Sequence, residues 1–230
     1  MTTEKEYGRD KLTVFLEGLE GAVLIIACTV FWIILRYLLR NLGATQEERD
    51  KVWPGDSLLD RIDRTFTRAI EIDAAAENIW PWIVQIGREK AGFYSYEFIE
   101  NLAGFDVTNR ETILPEFQSL KDGEFISLHP NGEGVYADSV KPNEELVCRT
   151  WRDESEIEEK RPVTKGTWSI YIEKDGNNKS RLIVRTCIET LRPDLLYVLG
   201  TLLFMDPIDF VMEYKMMRTI KRLAEGMERA

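Results

Sequence analysis

The chain has 230 residues, of which 30 are basic and 40 acidic, and its formal net charge at pH 7 is −10. This acidic balance argues against a nucleic-acid partner, because phosphate binding needs clustered lysine and arginine. The chain has one histidine, His129, which excludes a histidine-rich metal site, and we expect neither a metal nor a cofactor. The length predicts one domain with an appendage.

The first predicted element lies in residues 1–42, the N-terminal segment. The run GAVLIIACTVFWIILRYLL (Gly21–Leu39) is uncharged for 15 residues before Arg36. It predicts one membrane-spanning helix over about residues 20–40, with Trp32 and Tyr37 as interface anchors. The alternative is a buried helix of a soluble protein, since the run is at the short end of the spanning range.

Charge counts predict how the chain is oriented across the membrane. Residues 1–43 contain five basic and five acidic residues, so the whole net charge of −10 belongs to the remainder, a soluble body. Slightly more basic residues follow the apolar run than precede it, which favours a cytoplasmic body. Cys148 and Cys187 lie on strand-like segments without disulfide spacing, and they indicate a reducing compartment. We therefore expect a single-pass membrane protein.

Residues 43–64 are polar with a turn signal at Pro54-Gly55, and they predict a linker. The domain is predicted over residues 65–230. Its first strand is TFTRAIEID (Thr65–Asp73), which alternates and places Arg68 in register with Phe66 and Ile70. Arg68 either points inward, where it needs an acidic partner or a ligand headgroup, or is turned to solvent by a register break.

Two short helices follow, in AAAENIWPWIVQIG and SYEFIENLAG. In the second, Phe98, Ile99 and Leu102 are predicted to face inward, which places Glu97 and Glu100 on an exposed face. Five antiparallel strands are predicted next: Gly123–Pro130, Val135–Pro142, Glu145–Arg152, Gly166–Asp175 and Ser180–Thr190. The charged stretch DESEIEEKRP between the third and fourth of these strands predicts a solvated loop.

The last element is a long helix that Asp206 caps and Pro207 begins. Its predicted apolar stripe is Ile208, Met212, Met216, Ile220, Leu223 and Met227. The preceding run LLYVLGTLLFM (Leu195–Met205) is too short to span a membrane. It is either a buried approach to the helix or an apolar loop that touches the bilayer, and we favour the loop.

The text AIEIDAAAENIWPWIVQIGREKAGFYSYEFIENLAG (Ala69–Gly104) and the order of the elements resemble the START-like (SRPBCC) superfamily. The similarity is to its polyketide cyclase/dehydrase and lipid-transport type. The motifs GAT and PGD after an apolar helix resemble a membrane-anchored branch, and the resemblance covers residues 43–227. It implies an α+β helix-grip fold, a curved antiparallel sheet of six to seven strands around the long C-terminal helix. We count six strands, and a seventh is expected near Ile113–Gln118.

The resemblance also implies an internal cavity for a hydrophobic ligand. We therefore expect a membrane-tethered protein that binds a lipid or another hydrophobic small molecule. Candidate cavity residues are Arg68, Trp82, Gln85, Phe93, Tyr94, Tyr96, Trp168, Phe210, Met212 and Met216. No catalytic motif is recognisable. One alternative is a cyclase or dehydratase that uses Glu97, Glu100, Asp106 or Tyr94 with Arg68. The other is an interaction protein with a filled core.

Overall fold

The computed structural model describes Phe31 and residues 34–160, 162–176 and 178–228. Contacts divide the chain into residues 1–39 and residues 40–230. Most of the predicted spanning segment, about residues 20–40, lies outside the described residues. Residues 34–40 are helical. Among the described residues, none of the helices combines the length and the apolar character that crossing a bilayer requires.

Residues 40–230 form an α+β unit, as predicted. Its helices are α1 (Gln46–Asp50), α2 (Ala76–Val84), α3 (Glu97–Leu102), α4 (Glu154–Lys160), α5 (Leu195–Gly200) and α6 (Asp206–Glu228). Short 3-10 turns cover Pro54–Leu58 and Pro115–Phe117, and a π-helical segment covers Thr201–Met205. The strands are β1 (Arg64–Ile72), β2 (Phe125–Ser127), β3 (Gly134–Lys141), β4 (Glu145–Arg149), β5 (Thr164–Lys174) and β6 (Ser180–Thr190).

The six strands form one antiparallel sheet in the order β1-β6-β5-β4-β3-β2. The expected seventh strand near Ile113–Gln118 is wrong, because Pro115 begins a 3-10 turn there. The charged stretch predicted as a loop contains helix α4. A six-stranded antiparallel sheet with a long C-terminal helix is consistent with the helix-grip arrangement.

The main core lies between one face of this sheet and helices α2 and α6. Arg68 pairs with Val184, and Val184 pairs with Ile170, so these residues share this inner face. Alternate residues of a strand point to opposite faces, which places the remaining inner residues by parity. The core is completed by α2 and α6 residues such as Ile79, Ile83, Met217 and Ile220. Burial of this face is what holds both helices on the sheet.

The C-terminal helix begins eleven residues earlier than predicted, at Leu195 instead of Asp206. Asp194 caps it, because its carboxylate accepts a hydrogen bond from the Tyr197 N–H at 2.6 Å. The backbone stays helical through the π segment into α6. Proline has no N–H and its ring collides with the carbonyl one turn earlier, so a π turn directly before Pro207 accommodates it.

Residues 43–63, predicted as a linker, cover the outer face of the sheet. The indole of Trp53 packs on Tyr171 with ring centroids 4.4 Å apart. Both carboxylate oxygens of Asp56 accept hydrogen bonds from Arg185, at 2.8 and 2.9 Å, and both residues are buried. We call residues 43–58 the strap. Asp56 of the PGD motif, Trp53 before it and Glu48, which pairs with Arg181, fix the strap to the sheet.

The strap starts at the free edge of β1. The carbonyl oxygen of Leu42 accepts a hydrogen bond from the Ala69 N–H at 3.1 Å. Gly43 follows with a φ of 77°, and a Cβ there would lie 2.1 Å from the Ala69 carbonyl oxygen. Only glycine fits this position. The edge strand is therefore covered by the chain's own backbone.

Candidate ligand-binding site

The side chains on the inner face of the sheet are buried to different extents along the strands. Ile170, Leu182 and Val184 are fully buried beneath the helices. Towards the other end of the same strands, Trp168, Thr186 and Ile188 remain partly accessible. Thr186 pairs directly with Trp168, so the accessible side chains are neighbours. The inner face is therefore covered less completely at the end with Trp168, Thr186 and Ile188, which we call the open end.

The first half of α6 lies over the β1 side of the open end. The guanidinium of Arg64 lies 3.1 Å from the Asp206 carboxylate, and that of Arg68 lies 2.6 Å from Glu213. Arg64 also donates to the Tyr197 hydroxyl at 3.0 Å, which ties α5 to the same place. Arg64 pairs with Ile188 across the sheet, so these ion pairs border the accessible face.

Arg68 points inward, which answers the question that the sequence left open. It is 3% exposed, and its guanidinium lies 5.5 Å from the Phe66 ring centre and 5.4 Å from that of Phe210. A buried guanidinium needs a carboxylate partner, which Glu213 supplies. The two rings enclose this pair. The structure thus brings together Arg68 and Phe210 of the predicted residues.

Asp209 lies on α6 between Asp206 and Glu213. Its side chain is exposed at the surface. The surrounding protein desolvates the carboxylate and raises its pKa to about 6, and the charge of Glu213 adds to the effect. Burial also raises the pKa of Glu213, against the opposing effect of Arg68. Asp209 can therefore give or take a proton near neutral pH.

Gln85 and Tyr94 were predicted as polar contacts in the cavity, and the structure places both in fully buried positions. The Gln85 amide donates to the Tyr94 hydroxyl at 2.7 Å and to the Thr112 carbonyl at 3.0 Å, and its oxygen accepts from the Leu114 N–H at 2.9 Å. These bonds fix the loop after α3 to the end of α2. Burial raises the pKa of Tyr94 far above its ordinary value.

The other predicted residues are spread over the molecule. Trp82 is buried edge-to-face against Tyr94, and Met216 is part of the main core. Phe93 and Met212 are partly buried, and Tyr96 is exposed with Lys215 over its ring. Of the ten candidates, Trp168, Arg68 and Phe210 therefore belong to the open end of the sheet.

Four residues of the site were not predicted: Arg64, Asp206, Asp209 and Glu213. The carboxylates continue the spacing of Met216 and Ile220 towards the start of the helix, at intervals of three to four residues. Ile208, which was predicted to face the sheet, is exposed instead. The missed signal was two acidic residues at core-facing positions, Asp206 and Glu213.

The prediction that Glu100 lies on an exposed face is wrong. Glu100 is 4% exposed, whereas Phe98 and Leu102 on the same helix α3 are 79% and 78% exposed. The Asn101 side chain donates to the Val107 carbonyl at 2.9 Å and accepts from the Val107 N–H at 2.7 Å. These bonds fix the orientation of α3, in which Glu97 and Glu100 face the loop that follows the helix. Burial raises the pKa of Glu100 to about 7.

The remaining acids of the enzymatic alternative are engaged by neighbouring groups. Glu97 accepts a hydrogen bond from the Asn109 N–H at 2.7 Å. Asp106 is exposed, 3.0 Å from Arg88. Within the described part of the chain, no three or more histidine, cysteine, aspartate or glutamate side chains are arranged to hold a metal ion.

No family model matches the sequence, and no curated protein matches it. Solved structures resemble the fold. Truncated norcoclaurine synthase from Thalictrum flavum is 14% identical with a TM-score of 0.40, and the match covers 72% of this chain and 97% of that chain. A protein of Mesorhizobium loti is 15% identical with a TM-score of 0.38, covering 73% and 98%. The di-domain aromatase/cyclase BexL is 13% identical with a TM-score of 0.38, covering 73% and 50%. At these identities and TM-scores the likeness concerns the fold, and it assigns neither a ligand nor a reaction to this chain.

Proposed function

We propose that this chain is a membrane-tethered binding protein for a lipid or another hydrophobic small molecule, held between the inner face of the sheet and α6. The observation that carries this proposal is the partial accessibility of the neighbouring residues Trp168, Thr186 and Ile188 on the inner face of the sheet. Apolar side chains left open inside a fold are the usual lining of a small-molecule site. The resemblance of Ala69–Gly104 to START-like proteins supports the same function.

The charges at the open end favour a particular kind of ligand headgroup. Both guanidinium groups, of Arg64 and Arg68, already have carboxylate partners. Asp209 adds a third carboxylate beside them, and Arg40, whose guanidinium lies 4.9 Å from the Phe66 ring, adds a third cation, so the cluster is neutral when all of its groups are ionised. A neutral polar headgroup fits this surface better than a charged one. The proposed ligand is therefore an apolar molecule with a neutral polar group such as a hydroxyl.

Membrane attachment is supported by the sequence. The uncharged run before Arg36 has the composition of a spanning helix, and the body that follows carries the whole net negative charge. Cys148 and Cys187 are buried free thiols, which supports a cytoplasmic body. A tether keeps the binding site at a high local concentration of bilayer ligands.

A second candidate function is that of a cyclase or dehydratase. Asp209 supports it, because a carboxyl group whose pKa is about 6 at the edge of an apolar site can act as general acid or base. Asp209 fits this role better than Glu97 or Asp106, whose carboxylates are held by the Asn109 N–H and by Arg88. If the chain turns over its ligand, Asp209→Asn will abolish turnover while ligand is still bound.

The binding function is tested by extracting lipids and small molecules from the purified full chain and measuring ligand per protein by mass spectrometry. Thr186→Trp fills the open end and is expected to lower bound ligand about tenfold, a loss of about 1.4 kcal/mol. Glu71→Trp is the matched control, because Glu71 lies exposed on the outer face of the same sheet. Circular dichroism checks that both variants fold. If the natural chain carries no apolar ligand, or Thr186→Trp leaves the amount unchanged, the proposed site is wrong.

A further inference from the structure

Helix α3 exposes its apolar side chains and buries Glu100. Phe98 and Leu102 are among the most exposed apolar side chains of the body, while Glu100 is buried. In water, exposed apolar side chains and a buried carboxylate both cost free energy. A short helix with this orientation is stabilised when an apolar medium covers its outer face.

A second apolar surface lies on the helix that continues into α6. The segment from Leu195 to Met205 carries no charged residue. Leu195 and Leu196 are 74% and 82% exposed, and Leu199 and Leu203 are exposed as well. A helix that is apolar on all sides is normally buried in a protein core or a membrane. We therefore expect an apolar partner to cover this segment as well as α3.

The residues beside α3 are those found where a protein meets a bilayer. The Ser95 hydroxyl donates to the Met212 carbonyl at 3.1 Å, which holds the start of α3 against α6. Lys215 lies 5.7 Å from the ring centre of Tyr96, and Arg218 lies 5.8 Å from that of Tyr214. Tyrosine with lysine or arginine is typical of the headgroup region, beside apolar residues that insert more deeply. These cations are notable in a body with a net charge of −10.

Strand β1 contacts both residues 40–43 and the exposed apolar segment. Arg40 lies 4.9 Å from the ring centre of Phe66, and the Leu42 carbonyl binds Ala69, so residues 40–43 are fixed on β1. The same strand begins at Arg64, which binds Tyr197 of α5. Arg64 thus links the edge strand to the exposed apolar segment.

We propose that α3 and residues 195–205 form a docking surface for a lipid bilayer, with Phe98, Leu102 and Leu196 among the inserted side chains. Tyr96 and Tyr214, with Lys215 and Arg218, lie at the level of the headgroups. This inference rests on the proposed membrane tether for its choice of partner, and it is independent of ligand binding at Thr186.

The test places a fluorescent bimane on single cysteines of the full chain in vesicles of phosphatidylcholine with a minority of phosphatidylglycerol. Cys28→Ser removes the thiol in the apolar run, and Cys148 and Cys187 are buried. Leu102→Cys and Leu196→Cys carry the probe on the proposed surface. Asp175→Cys, in the exposed turn between β5 and β6, is the matched control. Quenching is measured with spin-labelled lipids and, separately, with iodide in the water.

We expect probes at positions 102 and 196 to be quenched by the spin-labelled lipids and shielded from iodide several-fold relative to position 175. Iodide quenching as strong as at position 175 would overturn the proposal. Shielding from iodide without quenching by the lipids would also overturn it, because protein would then cover the surface. If that shielding grows with the protein-to-lipid ratio, the cover is a second copy. Ligand content of the Leu102→Cys protein is measured in parallel, so a failure of docking is distinguished from a failure of binding.

Discussion

The guanidinium of Arg68 lies 2.6 Å from the carboxylate of Glu213, and this buried pair joins the first strand to the last helix. The two residues are 145 positions apart in the sequence. The pair stands at the border between the closed core and the open end of the inner face. It therefore fixes how far α6 stands from the sheet and thus shapes the proposed site.

Arg68→Met leaves the Glu213 carboxylate buried without its partner, and we expect the free energy of unfolding to fall by about 3 to 5 kcal/mol. Urea unfolding followed by circular dichroism measures the loss. Lys51→Met is the control, because the Lys51–Glu173 pair is solvent-exposed and its loss costs about 1 kcal/mol or less. The double variant Arg68→Met/Glu213→Leu is expected to regain most of the stability. Equal losses in the two single variants would contradict the buried pair.

Glu100→Gln tests the buried carboxyl of α3 by its pH dependence. The pKa of Glu100 is about 7 in the folded state and about 4.5 in the unfolded state. Because the folded-state value is the higher one, protonation of Glu100 stabilises the fold fully below pH 4.5, and this stability is lost as the pH rises through 7. Glu100→Gln is therefore expected to be more stable than the natural chain by about 2 kcal/mol at pH 8.5. Below pH 4.5 the two proteins become equally stable. A difference that is constant from pH 4 to 8.5 would show that Glu100 is not buried.

Gly43→Ala tests the covered edge of β1. The added Cβ would lie 2.1 Å from the Ala69 carbonyl oxygen, so the strap must move away from the strand. We expect a loss of more than about 2 kcal/mol in the free energy of unfolding. Gly123→Ala is the matched control, since Gly123 also has a positive φ, 84°, and its added Cβ meets nothing within 4 Å. Losses of the same size at both positions would show that the loss of stability comes from the positive φ and not from the contact with the Ala69 carbonyl oxygen.

Asp56→Asn tests the strap on the outer face. It removes the charge that two hydrogen bonds from the buried Arg185 require, and we expect a loss of about 3 kcal/mol. Limited proteolysis of residues 43–58 is expected to become faster, because the strap is held less firmly. Asp153→Asn, in the exposed pair with Arg152, is the control and should change stability by less than about 1 kcal/mol. An Asp56→Asn protein that resists protease as well as the natural chain would show that Trp53 and the Glu48–Arg181 pair hold the strap without it.

The sheet was predictable because its strands alternate. Period-two patterns such as Trp168, Ile170 and Ile172 identify the inner face without knowledge of any partner, and the structure confirms that face. The second half of α6 was predictable for the same reason, since Met216 and Ile220 repeat at helical spacing. Long elements with one apolar face contain enough positions to define their orientation.

The rotation of α3 could not be predicted, because a helix of six residues has too few positions to define a face. Its orientation is set by two hydrogen bonds between Asn101 and the backbone of Val107, in an irregular loop. The strap was missed for a different reason. Its short polar sequence indicates a linker, and its partner Arg185 lies far along the chain. Long-range contacts between charged residues leave no periodic pattern.

The strap also determines when the body can fold. Asp56 leaves the ribosome 129 residues before Arg185, an interval on the order of ten seconds during synthesis. Strand β1 remains unpaired for about as long, because its partner in the sheet is β6. The amino-terminal part of the body therefore has no native surface to join until nearly the whole domain is made. The body folds late and as one unit, and nascent chains that stop before β5 expose both Trp53 and the edge of β1.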